Sequence, residues 1–126
     1  MTEALAPKTR IFVYGTLKRG YRSNHCLAGQ QFLGEARTAP GFTLYSMGDY
    51  PGMVRSANAS HDVSGEVWEV DAVCLGKLNE LEGLSEGLYE RALIKLAPPF
   101  ADQPVETYLF LRSIEGRPAL GSTWRE

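Results

Sequence analysis

Ile11-Phe12-Val13-Tyr14-Gly15-Thr16-Leu17-Lys18-Arg19-Gly20 is an apolar run that halts at a glycine and turns polar within a few residues. Ile11, Phe12, Val13 and Tyr14 are β-branched or aromatic, so they suit a pleated, largely buried strand. Gly15 frees the backbone to turn, and the N–H groups that follow can point together at an anion or a carbonyl oxygen. The stretch therefore reads as a strand feeding an oxygen-binding loop. Gly15 and Gly20 also have the glycine spacing of a phosphate-binding loop. Tyr21-Arg22 stands where that loop needs Lys-Ser/Thr to reach phosphate and Mg²⁺, so nucleotide hydrolysis is not expected.

Working outward, residues 21–30 hold a candidate N-cap, Asn24, and a helix stop, Gly29, which predict a short helix or turn. Residues 32–40 and 42–47, separated by Pro40-Gly41, predict a hairpin, and residues 48–52 are turn chemistry. Residues 56–62 read as an exposed loop carrying His61. In residues 63–70, Val63, Gly65, Val67 and Glu69 alternate with Ser64, Glu66, Trp68 and Val70, the pattern of a strand. Asp71 is placed to cap a helix running to Glu82, with Gly83 placed to end it. Residues 89–97 and 105–112 are two further strands, kept apart by three prolines in residues 98–104. The order predicts one α+β domain over residues 1–126 with a mostly antiparallel sheet. Residues 1–10 read as a flexible lead, and the tail 113–126 has no assignment.

A chain of 126 residues with 44% hydrophobic and 22% charged residues has the composition of a globular protein. At this size folding buries roughly two-thirds of the unfolded chain's surface, enough for one core. The net charge of −2 argues against a nucleic-acid partner. No stretch approaches the roughly 20 apolar residues of a membrane helix. Residues 1–10 lack the apolar segment of a secretory signal, so a cytoplasmic protein is expected. Cys26 and Cys74 are far apart and have only His25 near them, so they are expected to be reduced, partly buried and idle rather than zinc ligands.

On the helix after Asp71, a 100° step puts Cys74, Leu75, Leu78 and Leu81 on one face. Glu82, four residues after Leu78, falls inside that apolar stripe, whereas Glu80 projects toward solvent. A buried carboxylate must be paired or have its pKa raised, and the second condition is the one a general base working near neutrality needs. The competing reading leaves Glu82 in a frayed last turn, paired with a surface cation.

Several short motifs occur in a telling order: Tyr14-Gly15-Thr16-Leu17-Lys18-x-Gly20, Asn24-His25-x-Leu27, Gly65-Glu66-Val67, Leu81-Glu82-Gly83 and Tyr89-x-Arg91. Together they resemble the γ-glutamylcyclotransferase-like family, nearest its γ-glutamylamine cyclotransferase and AIG2-like branch, over residues 11–111. The resemblance implies a small, closed or nearly closed, mostly antiparallel β-barrel with flanking helices. It implies an enzyme that cyclises a γ-glutamyl amide or peptide to 5-oxoproline and releases an amine or amino acid, with no metal or cofactor. Glu82 would be the catalytic acid/base. Tyr14, Gly15, Thr16, Leu17 and Tyr108 would bind substrate, a small γ-glutamyl compound, with neither nucleic acid nor membrane as partner. Some relatives carry a proline between the glutamate and the tyrosine; residues 83–88 here have none.

Two other classes of function compete with this reading. Ser23 and His25 are too close in sequence for a nucleophile–base pair and no Gly-x-Ser-x-Gly elbow is present, so His25 is expected to be structural. A non-catalytic domain of the same fold that merely binds a small molecule is the alternative, and an inward Glu82 is the feature it does not need.

Overall fold

A computed structural model describes residues 8–56 and 62–125. His61 with most of its loop, and residues 1–7 of the lead, lie outside the described residues. The opening stretch forms β1 (Thr9–Val13), the middle strand of a five-stranded sheet. On one side β1 pairs antiparallel with β5 (Ser64–Val70), which pairs antiparallel with β2 (Gln31–Arg37). On the other side β1 runs parallel to β7 (Val105–Phe110), which pairs antiparallel with β6 (Tyr89–Ile94). Thr9 and Arg10, assigned from sequence to a flexible lead, open this strand half-buried; its inner part, Ile11 to Val13, is covered on both faces, which is why that part carries no polar alternation. Phe12 packs with Val67, Val105 and Leu109 on one face; Ile11 and Val13 pack with Leu27, Leu78 and Tyr108 on the other.

The predicted hairpin is not formed. Residues 42–47 instead supply β3 (Phe42–Ser46), which pairs with β4 (Pro51–Arg55) in a separate two-stranded sheet, while β2 belongs to the large one. The turn that closes a hairpin is the one after Ser46, where Met47 N–H donates to Tyr50 O at 2.8 Å. Pro40-Gly41 marks a change of sheet. The closed barrel is not found either: among the described residues the sheet is open, mixed because of the β1–β7 pair, and accompanied by one α-helix. Its edge strands β2 and β6 meet only just beyond their ends, at the Thr38–Leu96 bridge, with Ala39 N–H on Lys95 O at 3.0 Å and Ala97 N–H on Arg37 O at 2.8 Å.

The helix α1 (Ala72–Leu81) begins as expected, with the Asp71 carboxylate accepting from Cys74 N–H at 2.8 Å. It ends at Gly83, left-handed with φ 65°, so Glu82 is the capping residue of the last turn and its N–H bonds Leu78 O at 2.9 Å. Cys74 and Leu78 are buried, but Leu81 is 48% exposed. The apolar stripe continues geometrically past Leu78, but Leu81 and Glu82 border an open cavity instead of the packed core. Asn24 is not an N-cap but the first residue of a 3-10 turn (Asn24–Leu27) preceded by Ser23, and its amide donates to Leu17 O at 2.9 Å.

The tail also has a place. Ser46 N–H donates to Pro118 O at 2.9 Å, Leu120 N–H to Leu44 O at 2.7 Å and Ser64 N–H to Ser122 O at 2.7 Å, so the segment runs along β3 and reaches β5. It delivers Trp124 into the core beside Phe12 and Phe42.

Candidate active site

The turn leaving β1 is built with its carbonyls occupied. Gly15 O accepts from Lys18 N–H at 3.1 Å, Thr16 O from Ser23 N–H at 2.9 Å, and Leu17 O from the Asn24 amide. The N–H groups of Gly15, Thr16 and Leu17 bond to no acceptor among the described residues. Gly15 is required for a reason other than the one its sequence context suggested. Its φ is not positive; instead a Cβ there would stand 2.7 Å from Pro51 Cγ, so the glycine lets β4 approach the turn. Lys18, next along, is buried and anchors the loop by donating to Trp124 O at 2.8 Å.

A cavity of about 200 Å³ opens beside this turn. Residues 14–17 form one wall, Leu81 and Glu82 another, and Tyr50, Pro51, Leu88, Tyr89 and Tyr108 complete it. Glu82 and the 15–17 turn thus share one cavity across sixty-five residues of sequence. The Glu82 side chain makes no hydrogen bond or ion pair with any described residue, and burial pushes its pKa up to about 7. Glu66 offers the contrast. That buried carboxylate takes Arg19 N–H at 3.0 Å, Arg19 Nε at 3.2 Å and Trp68 Nε1–H at 3.1 Å, the full satisfaction that a structural buried charge needs. Glu82 has none of this, which removes the surface-pair reading. Glu80 is exposed, as expected.

Four tyrosines border the cavity, and three of them, Tyr14, Tyr89 and Tyr108, commit the hydroxyl proton to the protein. Tyr14 donates to Tyr108 O at 2.7 Å and accepts from Met53 N–H at 3.1 Å. Tyr89 donates to Pro51 O at 2.6 Å, and Tyr108 donates to Asn79 Oδ1 at 2.8 Å. Burial, and after it the Glu82 charge, raises the pKa of Tyr14 and Tyr108 far above the usual phenol range; Tyr89 is raised by burial first, with Tyr14 and Glu82 adding to it. None ionises near neutrality. Tyr14 is thus at the cavity wall with its hydroxyl bonded twice within the protein, so what it lends the site is chiefly shape.

Sequence reasoning missed Tyr50, Pro51, Leu88 and Tyr89 as cavity residues, and it missed Asn79. Asn79 left a signal in its spacing, three residues before Glu82 and therefore on the same helical face, and Tyr89 left one in the Tyr89-x-Arg91 motif. Cys26 and Cys74 are free thiols away from the cavity; Cys74 donates to Cys26 O at 3.6 Å, and burial pushes its thiol pKa up. His25 is exposed and contacts Arg22 O at 3.0 Å. Among the described residues no group of three or more His, Cys, Asp or Glu could hold a metal ion, and no helix is long and apolar enough to cross a membrane.

The chain belongs to the γ-glutamyl cyclotransferase, AIG2-like family, whose profile matches residues 11–126. It is similar to the γ-glutamylcyclotransferase family protein YtfP of Escherichia coli K12, 34% identical over 107 residues that cover 85% of this chain and 87% of that protein. Two further relatives, from Vibrio cholerae and Drosophila melanogaster, are 42% and 38% identical, and the chain spans 60% and 57% of their lengths. Among solved structures, a mouse AIG2-like protein superposes with a TM-score of 0.78 at 25% identity, covering 91% of this chain and 87% of that one.

Proposed function

We propose that the protein is a γ-glutamylcyclotransferase that converts a γ-glutamyl amide or peptide to 5-oxoproline with Glu82 as general acid/base. The observation that carries this reading is the unpartnered Glu82 carboxyl, with a pKa near 7, in one cavity with the open N–H groups of the 15–17 turn. A γ-glutamyl group holds both reactants in one molecule, so the enzyme's task is to fold the substrate and move a proton. The substrate's α-ammonium, with a pKa near 8, is mostly protonated and unreactive at neutrality. Glu82 at pH 7–8 is ionised in a large fraction of molecules and is matched closely enough to take that proton.

The freed amine attacks the γ-carbonyl carbon; a C–N bond forms and negative charge moves to the carbonyl oxygen. N–H groups of residues 15–17 are the donors available to hold that oxygen or the α-carboxylate. The ring nitrogen then carries one proton more than a lactam N–H and loses it to solvent as the bond to the leaving nitrogen breaks; Glu82 returns its own proton to the leaving nitrogen, and the released amine takes up the other from solvent. Products are 5-oxoproline and the amine or amino acid, with Glu82 restored and no redox change. Incubating the protein with a panel of γ-glutamylamines and γ-glutamyl dipeptides tests the reading. Release of 5-oxoproline is expected, and its loss in Glu82→Gln; absence of 5-oxoproline across the panel, or full activity in that variant, overturns it and leaves a binding domain.

A further inference from the structure

The Asn79 side chain is the hub of a hydrogen-bond set that ends at the cavity. Its Oδ1 accepts from Tyr108 Oη at 2.8 Å and from Arg91 Nη1 at 3.0 Å, and Arg91 Nε is held by Glu106 Oε1 at 2.6 Å. The chemistry of these groups fixes every direction in the set. A guanidinium only donates, so the Asn79 atom facing Arg91 must be the oxygen rather than the NH₂. An amide oxygen only accepts, so the Tyr108 hydroxyl bonded to that same atom must be the donor. With its single proton committed, Tyr108 can offer a cavity ligand only oxygen lone pairs.

The site is thereby divided by polarity. The 15–17 turn offers donors, suited to the oxygens of a γ-glutamyl group; Glu82 and Tyr108 offer acceptors, suited to its ammonium. Asn79 and Glu82 lie three residues apart on α1, so one helical turn carries both the proton acceptor and the residue that orients its neighbour. Building on the proposed cyclotransferase reading, we propose that Asn79 is a positioning residue that fixes the Tyr108 hydroxyl as an acceptor for the substrate α-ammonium, holding that nitrogen beside Glu82. Arg91 and Glu106 act at one remove, by keeping Oδ1 of Asn79 turned toward Tyr108. Without them the amide could rotate, present its NH₂, and reverse the hydroxyl into a donor that repels an ammonium.

An acceptor that holds the nitrogen both as ammonium and as attacking amine contributes to binding in the ground and transition states alike, so its loss appears in KM more than in kcat. Asn79→Leu and Tyr108→Phe are each expected to raise KM about tenfold with kcat nearly unchanged, and the double variant to be no worse than either single one. Asn79→Asp, whose carboxylate still accepts from both Tyr108 and Arg91, is expected to restore most of the affinity. Binding is measured alongside turnover, by calorimetry on the Glu82→Gln protein with γ-glutamylethylamide and its N-acetyl counterpart; only the first, with a free ammonium, is expected to bind, and Asn79→Leu to weaken it. Wild-type turnover that Asn79→Leu leaves untouched, or a double variant whose losses simply multiply, overturns the positioning role while the cyclotransferase reading stands. Absence of 5-oxoproline from wild type together with Asn79-dependent binding of the free-amine ligand alone overturns the reaction and keeps the positioning role. Neither binding nor turnover overturns both.

Discussion

Glu82 is a carboxylate that the fold leaves half-buried without a donor, and that cost is visible in how stability should vary with pH. Its pKa rises from about 4.3 in the unfolded chain to about 7 in the folded protein. Below pH 4 both states hold the proton and no penalty exists; between these values the folded state binds more protons, so stability falls as pH rises, and above pH 7 the full cost of a buried charge, on the order of 3 kcal/mol, is present. Glu82→Gln removes the charge at every pH. It should be more stable than wild type by a margin that widens by about 2.5 kcal/mol between pH 5 and pH 8, read from urea midpoints at the two pH values. The same titration governs activity: kcat/KM of the wild type should rise with pH along a limb centred near 7. A variant that gains stability while losing the reaction separates a catalytic glutamate from a structural one. Glu66, whose three donors satisfy it, should behave oppositely, with Glu66→Gln destabilising. Gly15 is a second residue with a definite expectation. Gly15→Ala places a methyl 2.7 Å from the Pro51 ring and should cost about 1–3 kcal/mol, measured by thermal melting, as the turn and β4 are pushed apart.

At the scale of elements, α1 and β1 were legible in the sequence because each is written in local terms. Asp71 and Gly83 cap the helix through bonds and dihedrals set within a few residues, and the unbroken apolar run of β1 reports burial on both faces. Pairing partners were not legible. Pro40-Gly41 looks like a hairpin turn, but β2 pairs with β5, some thirty residues away, in a register that sets Gly34 opposite Val67 and Ala36 opposite Gly65. The inward aim of Glu82 was readable from helical phase, whereas Leu81, in phase with Leu78, is exposed at the mouth of the cavity rather than packed in the core. Asp71→Ala should therefore cost about 1 kcal/mol through the lost bond to Cys74 N–H, with little change in KM, since the cap lies at the end of α1 remote from Glu82. Gly83→Ala should be worse in kind. Its φ of 65° is strained for alanine and its Cβ would sit 3.1 Å from Leu88 Cβ, so both stability and kcat should fall as the last turn carrying Glu82 shifts.

Across the whole molecule, the site depends on a segment that shows no periodicity at all. The tail is irregular in sequence because it serves as a strap, bonding by its backbone to Ser46, Leu44 and Ser64 and contributing one large side chain, Trp124, to the core. Backbone bonding of that sort leaves no pattern in side-chain types, so neither the strap nor its role was readable. Its end supplies Trp124 O to both the Lys18 ammonium at 2.8 Å and the Tyr21 hydroxyl at 3.1 Å. Lys18 immediately follows the 15–17 turn, and burial lowers its pKa, so the ammonium is held in a place that disfavours its charge. Two alterations separate packing from anchoring. Trp124→Ala removes the indole but keeps the carbonyl, and should cost about 3–5 kcal/mol while the activity of the molecules that remain folded is unchanged. Ending the chain at Arg117 removes the carbonyl too, leaving the Lys18 charge without its acceptor. The truncated protein should then lose kcat/KM even per folded molecule, as counted by near-ultraviolet circular dichroism, because the turn that faces Glu82 is no longer tied down. Equal activity per folded molecule in both proteins would mean that the strap holds the core alone and that the turn keeps its shape without it.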